Sequence, residues 1–223
     1  MAAVIGDLLP LAVGIAISPI PIIAVILMLL SRRATATGTG FLLGWVVGIV
    51  LVTVIALALV GEAGNTAGGE PSTLSSVLKL VLGAALILLA GRQWQGRPKE
   101  GETGAMPKWM DAIESFSLGR ALLLGFGLSA VNPKNLLLSL AAGSTIGAAH
   151  LPTGEVVVAT VVFTLLACST VAVPVAGYLA ARERMAAPLD RLRTWLTQNN
   201  TVVMAVLLVV IGTVLLGEGI AGF

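Results

Sequence analysis

Charge is scarce in this sequence of 223 residues: Asp, Glu, Lys and Arg together make 11%, against about 25% in soluble domains. So little polar surface cannot coat a water-soluble globule, which excludes a soluble enzyme, a disordered chain and a nucleic-acid binder. Cysteine occurs once, as Cys168, and histidine once, as His150. An internal disulfide, a thiolate metal cluster and a dithiol redox pair are thereby excluded. Aromatic residues are only 4%, too few for the girdles of a transmembrane barrel. What the chain has in quantity is Ala, Val, Leu, Ile and Gly: 57% is apolar before the 26 glycines are counted, and the mean hydropathy is +1.01. That composition predicts an all-α, polytopic membrane protein whose helices pack closely in lipid.

A spanning helix needs about 20 mostly apolar residues, and six stretches present themselves: 8–30, 38–60, 74–89, 121–146, 156–180 and 202–217, the third and sixth being short. Arg32 and Arg33 fill the first gap, Arg92, Arg97, Lys99, Lys108 and Arg120 the third, and Arg182, Arg184, Arg191 and Arg193 the fifth. The other gaps and the ends carry Asp7, Glu62, Glu70, Glu155 and Glu218, with Lys79 as a basic exception. By the positive-inside rule this predicts a multi-pass protein of the cytoplasmic (inner) membrane with both termini outside. The amino end opens with Asp7 rather than a basic n-region, and its apolar run outlasts an h-region, so it reads as the first span and not as a cleaved signal. The chain divides into a first three-helix repeat (1–95), a cytoplasmic loop (96–115) and a second repeat (116–223). Within the loop, GRPKEGETG (96–104) reads as a solvated linker. Met106, Trp109, Met110, Ile113 and Phe116 then recur at helical spacing behind Pro107, and Leu189, Leu192, Trp195 and Leu196 do so behind Pro188; both patterns predict interfacial helices.

Self-similarity sets LLPLAVGIAISPIPIIAVILMLLS over LLLGFGLSAVNPKNLLLSLAAGST, with Ser18-Pro19 on Asn132-Pro133. The offset is half the chain. Three spans per half send the second copy through the bilayer the opposite way, so the expected architecture is six transmembrane helices in two inverted three-helix repeats, with the first and fourth helices broken. Proline removes a backbone donor, clashes with the carbonyl four residues back and pushes its predecessor out of the α region. Ser18, Ile20 and Asn132 are therefore expected to be non-helical, and the carbonyls of Ile15, Ile17 and Ser129 to be freed. Ser-Pro and Asn-Pro also read as N-cap and N1, the signal that restarts a helix with free N–H groups and a positive dipole end. In antiparallel repeats the two restarted half-helices aim those ends at one another, and their meeting point favours an anion.

Lys134 follows Pro133 directly and is the only ionisable residue deep in a predicted span. No Asp or Glu lies at matching depth, so a conventional carboxylate proton relay has no members. Two readings compete for Lys134: it neutralises the freed helix-end carbonyls, or it contacts the negative group of a substrate crossing at the repeat interface. Asn135 can add an amide contact. Gly40, Gly44 and Gly48 form a small-residue stripe typical of close helix contact. The hydroxyls of Thr160, Thr164, Ser169 and Thr170 either face a polar path or, the commoner arrangement, bond their own backbone, and Cys168 is expected to fill core. No Ser/His/Asp set, phosphate-cradling loop or carboxylate pair occurs in the cytoplasmic loops, so no catalytic residue, metal ligand or cofactor is expected and the chain does not read as an enzyme.

The runs AISPIPIIAVILMLLS, FLLGWVVGIV and SAVNPKNLLLSLAAG together resemble the GAP family of addressing proteins, within the LysE-type exporter superfamily. Members are implicated in moving peptidoglycolipids or sulfolipids to the surface of mycobacteria and related actinobacteria; the superfamily otherwise exports amino acids, other small solutes or metal ions. The resemblance implies that Ser18, Pro19 and Pro21 in one half and Asn132, Pro133, Lys134 and Asn135 in the other line a substrate-binding translocation site. It implies glycolipid export, with a membrane lipid or glycolipid as substrate and the lipid bilayer as surroundings. One Cys and one His depart from what cadmium-exporting relatives would need. Three functions follow as expectations: a transporter of an anionic or glycosylated lipid, an exporter of amino acids or other small solutes, and a non-transporting scaffold for glycolipid assembly. A homodimer is left open by the glycine stripe.

Overall fold

The structure is a computed structural model and describes residues 1–66, 73–96, 112–113 and 115–222. Met106, Pro107, Trp109 and Met110 of the first interfacial pattern, and residues 97–104 of the linker, lie outside the described residues. Every regular element among the described residues is helical: α1 (Ala2–Ala16), α2 (Pro19–Leu29), α3 (Ala34–Thr66), α4 (Thr73–Gln95), α5 (Leu118–Phe126), a π-helical turn (Gly127–Val131), α6 (Pro133–Ala148) and α7 (Thr153–Ala221). Among them, α3, α4 and α7 are long and apolar enough to cross a membrane. The pairs α1–α2 and α5–α6 qualify if each is one bent span, with bends of 54° and 64°. Large aliphatic side chains face outward along these helices, Leu88 at 70% exposure and Leu123 at 69%. Such faces suit lipid and not water, and the chain is membrane-associated.

The bends fall at Ser18-Pro19 and Asn132-Pro133, the two places where a proline follows a residue able to cap a restarted helix. Ile20, expected outside the helix, lies within α2. Pro21 falls in the first turn of α2, where N–H groups have no intrahelical acceptor to lose, so a proline there costs the helix little and leaves Ile20 helical.

The 69 residues of α7 are two helices that meet at a kink at Ala181 (φ −150°, ψ 59°), a first limb before it and a second after it; helix continues through Pro174 in the first and through Pro188 in the second, where an interfacial helix was expected. Thr170 bonds the carbonyl of Ala16, while Ile211 packs against Gly14. A straight helix between residues 170 and 211 would span roughly 60 Å, yet both ends touch α1 within three residues, so the chain doubles back. The second limb then packs on α4. A Cβ added at Gly83 would stand 2.9 Å from the carbonyl oxygen of Gly212, and one at Gly212 would stand 3.0 Å from that of Gly83. Lys79 pairs with Glu218 at 2.9 Å across the same contact.

The glycine stripe of α3 is a helix contact, as expected. Cβ atoms at Gly40, Gly44 and Gly48 would run into the carbonyls of Leu118 and Leu122 and the hydroxyl of Ser129 respectively, so α3 lies backbone to backbone along α5 and the π turn. Gly125 meets the Phe41 backbone from the other side, and Gly143 of α6 meets that of Thr53. Phe41 and Trp45 stack at 6.1 Å within this seam, both fully buried.

Candidate functional site

At the first break every carbonyl from Gly14 to Ala16 has found a new donor. Ile17 (φ −82°, ψ 68°) takes the inverse γ-turn conformation, and the Ser18 N–H accordingly bonds the Ala16 carbonyl at 2.9 Å instead of reaching Gly14. Ile15, whose helical donor would be the missing N–H of Pro19, is capped by the Ser18 hydroxyl at 2.6 Å. Ala16 accepts a second bond from the Thr170 hydroxyl at 2.6 Å. Gly14 is left for a donor from outside the helix, and that donor is Lys134.

The second break solves the same problem differently. The Asn132 side chain caps α6 by accepting the N–H of Lys134 at 3.1 Å. The N–H of Asn132 itself reaches back five residues to Gly127 at 3.2 Å, giving the π turn that the sequence did not signal. Leu128 thereby loses its helical donor and takes the Asn135 amide at 2.9 Å instead.

These two repairs meet. Lys134 Nζ donates to the Gly14 carbonyl and to the Ser18 hydroxyl, the latter at 2.7 Å, and the Ser18 hydroxyl lies 3.2 Å from Asn135 Oδ1. Ser18, Lys134 and Asn135 are 2%, 3% and 0% exposed. The sequence led to the carbonyls of Ile15, Ile17 and Ser129 as the partners of Lys134; the partner is Gly14, because the γ-turn shifts which carbonyl is orphaned. The lysine thus joins the negative end of α1 to the positive end of α6, a favourable placement for a cation at a helix C-terminus. No carboxylate among the described residues lies within ion-pair distance of it. Two of the three donors of an ammonium group are in use.

Of the other residues expected at the site, Pro19 and Pro21 are buried beside Ser18 in the first turn of α2. Asn132 is partly exposed and engaged as a cap, and Pro133 faces outward. Two contributors were not singled out in the sequence: Gly14, which acts through its backbone, and Ser139, which lies one turn beyond Asn135. Thr170, expected to bond its own backbone, reaches across to α1 instead, while Thr160, Thr164 and Ser169 do bond their own helix. The Ser139 hydroxyl is fully buried and, like that of Thr53 on α3, has no hydrogen-bond partner among the described residues. A buried unpaired hydroxyl costs about 1–3 kcal/mol, so this side of α6 carries polar capacity that the protein itself does not saturate.

The Thr170 bond gives an expected result. Thr170→Val keeps the shape of the side chain and removes the donor. Across helices in a membrane such bonds are worth ~0.6 kcal/mol on average and up to ~1.7, so the melting temperature of the purified protein falls measurably. Thr160→Val, which removes only a bond within its own helix, costs less.

Comparisons with curated proteins and with solved structures give no match. The sequence model of one family, described as Sap, sulfolipid-1-addressing protein, does match, and it does so over residues 8–221. Since that match takes in both breaks and Ser18, Lys134 and Asn135 that join them, the chain belongs to the sulfolipid-1-addressing protein family.

Proposed function

We propose that this protein translocates an anionic or glycosylated lipid, or its precursor, across the cytoplasmic membrane, with the head group crossing where the two breaks meet. The observation that carries this reading is Lys134: a buried lysine with no carboxylate partner among the described residues, held only by a helix-end carbonyl and a serine hydroxyl. Intramembrane ionisable residues are expensive and mark substrate paths. An anionic head group offers Lys134 better acceptors than Gly14 and Ser18 do, because a full opposite charge adds a Coulombic attraction, strong in the low-dielectric interior, that a neutral carbonyl or hydroxyl lacks. Its arrival exchanges those partners, releases the end of α1 and lets the two halves separate. Asn135 and the unpaired Ser139 hydroxyl then supply contacts to the head group.

In this reading the chain crosses the membrane six times as two inverted repeats with both termini outside. The two limbs of α7 serve as the fifth and sixth spans. Support comes from the matched breaks and from matched neighbours: α3 lies along α5 and α6, and the first limb of α7 touches the end of α1 in the other half. Membership of the sulfolipid-1-addressing family supports a lipid cargo.

The test is reconstitution. Vesicles containing the purified protein are expected to move a labelled anionic glycolipid between leaflets faster than protein-free vesicles, and to leave a zwitterionic lipid at its background rate. Efflux of entrapped amino acids without lipid movement would replace this reading with that of a small-solute exporter.

A further inference from the structure

Beside the first break a groove opens between α1 and the second limb of α7. Leu9, Val13 and Ile17 form one wall at one-turn spacing, and Val203, Val206 and Val210 form the other; no lining residue is polar or charged. The volume is about 580 Å³, within the range of roughly 300–1,000 Å³ usual for small-molecule sites. From Leu9 to Ile17 the α1 wall is ~12 Å long. Leu9, Val13, Val206 and Val210 are each about half exposed, so the groove is open along its side.

Its position relative to Lys134 gives it meaning. The groove ends at Ile17, whose neighbour Ser18 accepts from Lys134, and Val13 on its wall adjoins Gly14, whose carbonyl Lys134 holds. At Gly14 the helix between groove and lysine carries no side chain, and the gap is closed by Ile211 from the groove side and by Leu138 from the α6 side. Lipid tails are as apolar as leucine, so an apolar wall alone selects nothing inside a bilayer. The selective element is the lysine at its end.

Resting on the lipid-translocation reading, we infer that this groove holds one acyl chain of an anionic lipid, laid along α1 with its head-group end at Ile17 and the head group drawn toward Lys134. The chain keeps to the lipid-facing side throughout, and only the head group enters the protein.

Photolabelling tests this without requiring transport. The wild-type protein is placed in vesicles doped with a phosphatidylglycerol or a phosphatidylcholine probe carrying the same diazirine-bearing chain, irradiated, and the labelled residues are mapped by mass spectrometry. The anionic probe is expected to label residues 9–17 and 202–211 several-fold more than the zwitterionic one, with both equal on the outward-facing Val157, Val161 and Leu165. Val206→Trp, which fills the groove, brings the two probes to the same level there. Equal labelling of the groove by the two probes in the wild type, or no labelling of it, as when a second copy of the chain covers it, would each overturn the inference. Preferential labelling in a protein that moves no lipid would leave the groove standing and remove the transport reading. Transport with equal labelling would do the reverse.

Discussion

Lys134→Met is expected to slow the movement of an anionic glycolipid in reconstituted vesicles at least tenfold while leaving the protein folded. Methionine keeps the unbranched stem of lysine, one atom shorter, and removes its donors. The Gly14 carbonyl and the Ser18 hydroxyl then lose a partner each, which lowers stability by about 1–3 kcal/mol, a deficit visible as a lower melting temperature but short of unfolding. Translocation suffers separately from stability, because the charge that attracts the head group is gone; a tenfold loss corresponds to ~1.4 kcal/mol of barrier. Lys134→Arg keeps the charge in a bulkier planar group and is expected to retain more of the rate than Met does. A Met variant that moves lipid at the wild-type rate would reduce Lys134 to a cap on α1.

Gly44→Leu is expected to yield no monodisperse protein on size-exclusion chromatography after extraction. At Gly44 a Cβ would overlap the carbonyl of Leu122 and stand 2.9 Å from the Phe126 amide nitrogen. Overpacking a side-chain core typically costs about 1–3 kcal/mol, and here the obstacle is backbone, which has no rotamer to escape into. Close backbone approach is also what holds helices together in lipid, where burial alone gives no driving force. Separating α3 from α5 would pull Phe41 and Trp45 out of the seam and loosen the π turn that orients Asn135. Gly91→Leu is the comparison: nothing lies within 4 Å of a Cβ there, and this variant is expected to elute and melt as the wild type does.

The breaks were legible in the sequence because proline acts locally. Pro19 and Pro133 delete N–H groups directly behind Ser18 and Asn132, residues able to cap a restarted helix, whereas Pro10, Pro174 and Pro188 lack such a neighbour and lie inside helices. The stripe at Gly40, Gly44 and Gly48 was legible for the same reason. What Lys134 touches was not. Its acceptor is a backbone carbonyl 120 residues away, orphaned by a γ-turn whose conformation depends on Ile17 and not on any residue type that advertises it. Thr170 looked like Thr160 and Thr164 because all are hydroxyls on an apolar helix, and only the position of α1 distinguishes them. That helix persists through Pro174 and Pro188 ran against local propensity, whereas the separation of α7 into two limbs was legible in the basic stretch from Arg182 to Arg193 between two apolar runs. The groove was invisible because it is made of valines and leucines that any membrane helix carries.

Solid-state NMR on protein labelled with 15Nζ-lysine and 13C-carbonyl glycine, in lipid, measures the link between the breaks itself. A Lys134 amine bonded to the Gly14 carbonyl gives strong nitrogen-to-carbon dipolar dephasing that disappears in Lys134→Met. Dephasing no greater in the wild type than in that variant would mean that the lysine lies away from the end of α1, and the meeting of the two breaks, with the path built on it, would be contradicted.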